Sequence, residues 1–489
     1  MRKKREMWTY CFYDYAGVTA HLERMSEKGW VLEKAGTVWW TYRQAEPKKR
    51  GVAVTYFAGA SEFDAGPTPK QRTFLDYCEE AGWHMAAQWL QMDIFYSEDP
   101  GAVPLETDEG VKLSTIHQAM KKNFLPSQAV MVVLSIFQIW MQTHNVGGSV
   151  IQVWSNGMGL WAAAMWALLL ANYVMNLAGY ALWYRASQKS VERGGACVVR
   201  GAVVRRTSLV LMVVALGSLA VWLVYVAGMG NGWIAGAAFL YVAAVLAAAL
   251  GLKSLLKWCG ASRRTNRIVT CTGCILVAVV GVFAMVRYVS VAALERNFSG
   301  ADGETYSVEI APGETRRWVI HRDPLPLRVE DLLETDYEYY TYQQQLTQNS
   351  FLLGYTAYDQ RQTVLDEPMA PELSYEVVDV KFGPLYDACR AELLEITDYQ
   401  KEDGDLWRTV SAGDWGAEEA YQYDRAGEPR QVYVLCWPAG EAPAELGAHP
   451  GAESRGGGEA GGLKRASERK EDGRKAVLFL VHSTALSSM

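Results

Sequence analysis

The sequence predicts a membrane α-helical bundle of about five spans, flanked by an N-terminal α+β domain and a C-terminal α+β domain. Three observations lead there: long stretches without any charge in the middle of the chain, cations gathered in alternate connecting segments, and ends rich in acids and aromatic residues. The chain has 489 residues, too many for one ordinary core. Hydrophobic residues make up 50% and charged residues 21%, which excludes a disordered chain. The formal charge of −7 and mean hydropathy of −0.05 average an apolar middle with polar ends. The chain divides into five regions: 1–97, an α+β domain with a duplicated βαββ unit; 98–126, a connector; 127–289, the spans; 290–437, a second α+β domain; and 438–489, a largely disordered tail.

No Asp, Glu, Lys or Arg occurs in 123–184, in 207–252 or in 268–286. A helix crossing the hydrocarbon layer needs about 20 apolar residues, so these runs hold two, two and one spans. They are placed at 127–143, 160–184, 209–228, 233–252 and 268–288. Gln138 and Gln142 dilute the first span, and Gly147, Gly148, Asn156 and Gly157 break the helical pattern after it.

Lys and Arg accumulate in short cytoplasmic loops. Lys112, Lys121 and Lys122 precede the first span, Arg185, Lys189, Arg193, Arg200, Arg205 and Arg206 join the second to the third, and Lys253, Lys257, Arg263, Arg264 and Arg267 join the fourth to the fifth. The alternate connections carry no cation. This predicts a multi-pass plasma-membrane protein with its N-terminus cytoplasmic and its C-terminus extracytoplasmic. Arg2, Lys3, Lys4 and Arg5 are followed by no apolar stretch of signal-peptide type, so they read as a solvated start rather than a nucleic-acid site.

Within 1–97, Trp8–Tyr13 reads as a strand, Asp14 as a helix cap, and Gly29 as the stop before Trp30 opens the next strand. The pattern returns 53 residues later: Thr68-Pro69-Lys70-Gln71 forms a capping box, and Gly82-Trp83 matches Gly29-Trp30. Strands at 38–43 and 91–96 complete the two units, read as two helices on one face of an antiparallel sheet. Trp30 and Trp83 read as core anchors.

The segments Trp8-Thr-Tyr-Cys-Phe, His21-Leu-Glu-Arg-Met-Ser-Glu-Lys-Gly29-Trp30-Val-Leu, Phe74-Leu-Asp-Tyr-Cys-Glu-Glu-Ala-Gly82-Trp83 and Ile94-Phe-Tyr resemble the bacterial family called domain of unknown function 2812. The resemblance covers roughly the first hundred residues and carries no catalytic residue over. It implies a bacterial source, frequent membrane spans, and a PadR-type transcriptional regulator as a cytoplasmic partner. From 108 to 124 the connector reads as an amphipathic helix, with Leu113, Ile116, Met120 and Phe124 on one face against the membrane or the N-terminal domain.

Transport of ions or protons needs ionisable groups at membrane depth, and only Arg287, near a span end, offers one. Asn172 and Asn176 sit one helical turn apart, placed to hydrogen-bond a neighbouring helix. Gly232 and Gly236 form a weak match to the small-residue packing pattern. Cys271 and Cys274 have redox-pair spacing but lie within a span with no second pair, and read as small apolar residues. Cys11, Cys78, Cys197 and Cys259 are expected reduced, while Cys389 and Cys436 are left open as a disulfide or two thiols.

Beyond Ser290, strands are predicted at 306–310, 317–320, 351–358, 373–380 and 432–437, with a helix ending at Leu394. His321-Arg322-Asp323 imitates a kinase triplet without its supporting residues. Tyr337, Tyr339, Tyr340 and Tyr342, among Glu334, Asp336 and Glu338, read as a loop or edge strand, and His321, His449 and His482 are too scattered for a metal site. The segment 438–475 lacks apolar period, and the strand-like 476–482 after it suggests either a native strand or a reading-frame slip near Pro438.

These readings predict no catalytic, cofactor-binding or metal residue and no enzyme. They favour a sensor or regulatory scaffold in the lipid bilayer, without direct nucleic-acid binding, over a transporter or permease subunit with accessory soluble domains. A homo-oligomer is left open.

Overall fold

The computed structural model describes residues 2–7, 10–36, 39–99, 101–144, 149–199, 201–226, 232–298, 304–311, 314–332, 337, 339–363, 371–395, 406–413, 417–425, 428–437 and 476–483. The chain folds into two compact units, Met1–Gln138 with Met165–Val289, and Ile139–Ala164 with Ser290–Met489.

The N-terminal module of the first unit is the duplicated unit. Strand β1 (Lys3–Met7), helix α1 (Tyr15–Glu27) and strands β2 (Trp30–Ala35) and β3 (Trp39–Gln44) are followed by β4 (Gly51–Tyr56), α2 (Pro69–Glu80), β5 (His84–Trp89) and β6 (Met92–Ser97). The repeat persists in detail. Gly29 and Gly82 both take the left-handed conformation, with φ of 79° and 82°. The register slips between Leu32 and Lys34 in one half and between Met85 and Ala87 in the other.

Three expectations are corrected by this fold. The strands form two three-stranded sheets, β1-β3-β2 and β4-β6-β5, not one. Each repeat places its last strand between the other two, so hydrogen bonding closes within the repeat. The first strand is Lys3–Met7, while Tyr10–Tyr13 of the expected strand is a loop and Trp8 and Thr9 lie outside the described residues, so the basic start is itself an exposed strand. Phe12 and Tyr13 are buried because this loop packs on aromatic rings: Phe12 on Tyr56 and Trp89, Tyr13 on Tyr180 and Trp183. The capping box is half made, since Thr68 accepts from Gln71 N at 3.3 Å while the Gln71 side chain turns to Asp93. Trp83 is buried and donates to Val103 O at 2.8 Å, whereas Trp30 is half-buried.

The two glycines differ in their surroundings. A Cβ on Gly29 would lie 2.9 Å from Ala45 O, whereas one on Gly82 meets nothing. Gly82→Ala is therefore expected to cost about 1 kcal/mol from backbone strain alone, and Gly29→Ala about twice that, in chemical unfolding of the purified protein.

Helix α3 (Glu109–Ala119) passes through a single π-helical turn, Met120–Phe124, into α4 (Leu125–Thr143). Then come the short α5 (Val150–Ser155) and the long α6 (Gly157–Val191), α7 (Gly201–Val226), α8 (Gly232–Trp258) and α9 (Arg263–Phe298). Among the described residues five helices are long and apolar enough to cross a membrane, each overlapping a span read from the sequence. At α8 and α9 the close approaches are Gly273 to Leu252 and Gly281 to Tyr241, while Gly236 faces open space.

In the second unit, β7 (Thr305–Ala311) and β8 (Glu314–Val319) pair as a hairpin, followed by α10 (Val329–Leu332). A seven-stranded antiparallel sheet contains β9 (Tyr340–Asn349), β10 (Leu353–Gln362), β11 (Leu373–Val380), β12 (Leu406–Thr409), β13 (Glu419–Arg425), β14 (Glu428–Trp437) and β15 (Ala476–Ser483), in the order β12-β13-β14-β15-β11-β10-β9. Helix α11 (Tyr386–Leu393) lies between β11 and β12 in the chain. The strand predicted near 476–482 thus joins the domain that was expected to end at 437. It pairs along its whole length with β11 and along most of it with β14, a specificity that a frame slip gives no reason to expect. The segment 438–475 and His449 lie outside the described residues.

Candidate functional site

The feature with most built structure in the first unit is the junction between the N-terminal module and the helix ends beside it. The connector helix lies on the module, although its apolar and polar residues are only weakly segregated around it, unlike the amphipathic helix expected: Ile116, Ala119 and Met120 are fully buried in the same core as Val18, Trp40 and Met92. Phe124, carried round by the π turn, stacks on Phe12 at 6.4 Å. Asn123, on the same turn, donates to Gln91 Oε1 at 3.2 Å. The end of α6 enters this core through Tyr180 and Trp183, and His117 bonds Tyr180 Oη at 2.6 Å while stacking on Tyr184.

Two glycines permit the close approach. A Cβ at Gly179 would lie 2.6 Å from the Val204 side chain and 2.9 Å from Tyr13 Oη. At Gly201 it would lie 2.3 Å from the Asp14 carboxyl carbon. Asp14 is 5% exposed, caps α1 by accepting from Gly17 N at 3.1 Å, and faces Arg205 at 3.8 Å. Burial raises its pKa and Arg205 opposes that rise.

The loop between β4 and α2 holds the α8–α9 connection. Glu62 pairs with Lys253 at 3.0 Å, and Asp64 accepts two hydrogen bonds from Arg263 at 2.6 Å. Arg263 also donates to Gly59 O, and the fully buried Asn266 donates to Phe63 O at 3.0 Å. Arg205, Lys253 and Arg263, noted from the sequence as cations flanking the spans, are thus the charge or hydrogen-bond partners of the module's carboxylates.

Asn172 bonds a neighbouring helix as expected, whereas the bonds of Asn176 stay within its own helix. Ser208 Oγ, on α7, donates to Asn172 Oδ1 at 2.7 Å, and Asn176 donates to Asn172 O at 2.8 Å. The turns of α6 after these amides pack on the N-terminal module through Tyr180 and Trp183. A cavity of about 380 Å³ opens between α6 and α7 at this level, lined by Tyr10, Asn172, Arg205 and Ser208 above Leu169 and Met212.

Sequence reasoning missed Asp93. It lies on β6 between Met92 and Ile94, is wholly buried, and receives one hydrogen bond, from Gln71 at 3.4 Å. Its other oxygen and the hydroxyl of Thr55, opposite it in register, have no partner among the described residues. Burial pushes its pKa up to about 7, with the Gln71 bond opposing. A lone acid in so apolar a strand was the available signal.

In the second unit, the connection between the first two spans is built into the C-terminal module. Ile151 and Val153 of α5 are buried, Ile151 beside Leu353, Val380 and Cys436. Ile151 N donates to Glu392 at 3.0 Å, Ser155 to Gln348 at 2.7 Å, and Ser350 to Trp154 O at 2.6 Å. Cys389 and Cys436 share this core as free, buried thiols. Burial pushes them to about 12 and about 11. A thiol is reactive as its thiolate. Near pH 8, alkylation is therefore expected to label exposed Cys259 and to spare both until the module is unfolded, a pattern that peptide mass mapping checks.

The remaining residues singled out from sequence are structural. Tyr340 is buried and donates to Pro371 O, and Tyr342 donates to Glu330, on the edge strand β9. Arg322 donates to Tyr340 O and Asp323 accepts from Gln344 N. Glu334, Asp336 and Glu338 lie outside the described residues. Cys271 is exposed and Cys274 half-buried on α9. Among the described residues no group of three His, Cys, Asp or Glu side chains is placed to hold a metal ion.

Residues 14–127 match the family model described as "Protein of unknown function (DUF2812)". The match takes in the N-terminal module from α1 onward, α3 and the π turn, in agreement with the resemblance read from the Gly-Trp repeats, and leaves out β1 and the Trp8–Phe12 segment. No curated protein and no solved structure matches the chain.

Proposed function

We propose that the chain is a non-enzymatic sensor or regulatory scaffold of a bacterial plasma membrane, linking an extracytoplasmic C-terminal module to a cytoplasmic N-terminal module. One observation carries the reading: α4 and α6 each contribute residues to both compact units. Their connection, α5, is held in the core of one unit, while Met120, Tyr180 and Trp183 are held in the core of the other. A ligand that reshapes the C-terminal module could bias the N-terminal one through these helices and α9.

The packing also supports the topology. The connections after spans two and four pack with the N-terminal module, and the connection after span one packs with the C-terminal module. Five crossings require that grouping. The Lys and Arg residues assign the first group to the cytoplasm. A PadR-type regulator is the partner that the family resemblance implies.

The test is labelling of engineered cysteines in intact cells with an impermeant thiol reagent, then crosslinking of the N-terminal module. The reading expects labelling in the C-terminal module alone, and recovery of a cytoplasmic protein by the N-terminal one. Equal labelling of both modules, or no partner under any condition, overturns it. Vesicle uptake of a solute, lost on changing Asn172 or Asn176, would favour a transporter instead.

A further inference from the structure

We infer that the cavity between α6 and α7 holds an anionic phospholipid of the surrounding bilayer, with its headgroup at Arg205 and an acyl chain along the helices. The cavity measures about 380 Å³, and a neighbouring one of about 150 Å³ shares Tyr10, Asn172, Tyr173 and Ser208 with it. Its polar groups collect at one end. Leu168, Leu169, Leu211, Met212 and Leu216 continue as an apolar trough. That division matches a lipid, which is charged at one end and hydrocarbon beyond it.

Charge decides the headgroup. The Arg205 side chain is 25% exposed, stacks over the Tyr10 ring at 4.3 Å, and meets Asp14 at 3.8 Å. Among the described residues the Asp14 carboxylate stands at 3.8 Å, beyond hydrogen-bond distance, and Arg205 lines the cavity, so its planar fork keeps donors for a further acceptor. No acidic residue lines either cavity. A phosphodiester would accept from that fork in paired geometry. Arg205 stands just before the uncharged run that begins at Thr207 on α7, the position along a span where lipid headgroups are met. A lipid seated there touches the residues that join α7 to the N-terminal module, which makes headgroup charge a condition for tight docking.

The test is equilibrium binding of a fluorescent phosphatidylglycerol to the purified full-length protein in neutral detergent. Unlabelled phosphatidylglycerol is expected to displace the probe at concentrations at least tenfold below those required of phosphatidylcholine, and inorganic phosphate should not displace it. Arg205→Gln should weaken phosphatidylglycerol about tenfold and leave phosphatidylcholine unchanged. Ala215→Phe, which fills the trough away from Asp14, should weaken both. Equal competition by the two lipids, displacement by phosphate alone, or unchanged affinity in Arg205→Gln overturns the inference.

Discussion

At pH 8 the D93N variant should hold its N-terminal module closed far more tightly than the natural chain, and near pH 4 the two should behave alike. Asp93 is buried with one weak hydrogen bond, and the folded state keeps its proton up to about pH 7 whereas an ordinary Asp releases it near 3.8. Between those values the folded state binds more protons than the unfolded one, so stability is greatest below pH 4 and falls as pH rises toward 7. At about 1.4 kcal/mol per pH unit, the ionised carboxylate costs roughly 4 kcal/mol by pH 8. Asn removes the charge at nearly constant volume, and its amide can donate to the unpartnered Thr55 hydroxyl opposite. Hydrogen exchange of the β4 and β6 amides reads the result: about a thousandfold slower exchange in D93N at pH 8, and no difference at pH 4. Equal exchange at pH 8 would show that Asp93 is not held neutral.

The second large effect is expected at the glycines of the junction. Gly179→Leu and Gly201→Val each place atoms where Tyr13, Val204 or Asp14 already stand. Overpacking a filled site costs about 1–3 kcal/mol, and at Gly201 the obstacle includes the Asp14 Cβ, which is fixed by its role as a helix cap. The cheapest relief is separation of α7 from the module. Trypsin should then cut at Arg193 and Arg200 several times faster in either variant than in the natural chain, while Gly217→Leu, where a Cβ meets nothing, should not change the rate.

How much the sequence disclosed was set by the range of the interactions. The spans and the Gly-Trp repeat depend on runs of a few residues, and they stand where composition and periodicity put them. The bond from Ser208 to Asn172 was legible for the same reason: an amide in an apolar helix has few other partners. The rest depends on distant segments. Ile151 read as part of a broken loop because the core that buries it begins some 200 residues on. Trp8–Tyr13 read as a strand because of its aromatic spacing, which at Phe12 reflects packing on Tyr56 and Trp89 and at Tyr13 packing on α6 rather than sheet pairing. The π turn has no signature in the spacing of Leu113, Ile116, Met120 and Phe124, which a plain helix fits equally well. Arg205, Lys253 and Arg263 were visible as charges, but their carboxylate partners were not, since pairing between loops leaves no local pattern.

The position of β15 bears on how the C-terminal module is made. A ribosome delivers β9 to β14 before it delivers the strand that belongs at their centre. Until then the growing polypeptide carries two half-sheets, with β11 and β14 each exposing a row of unsatisfied backbone amides. Assembly of this module is therefore a closing event after synthesis of its neighbours. During that interval a holding chaperone would have its strongest claim on the nascent chain.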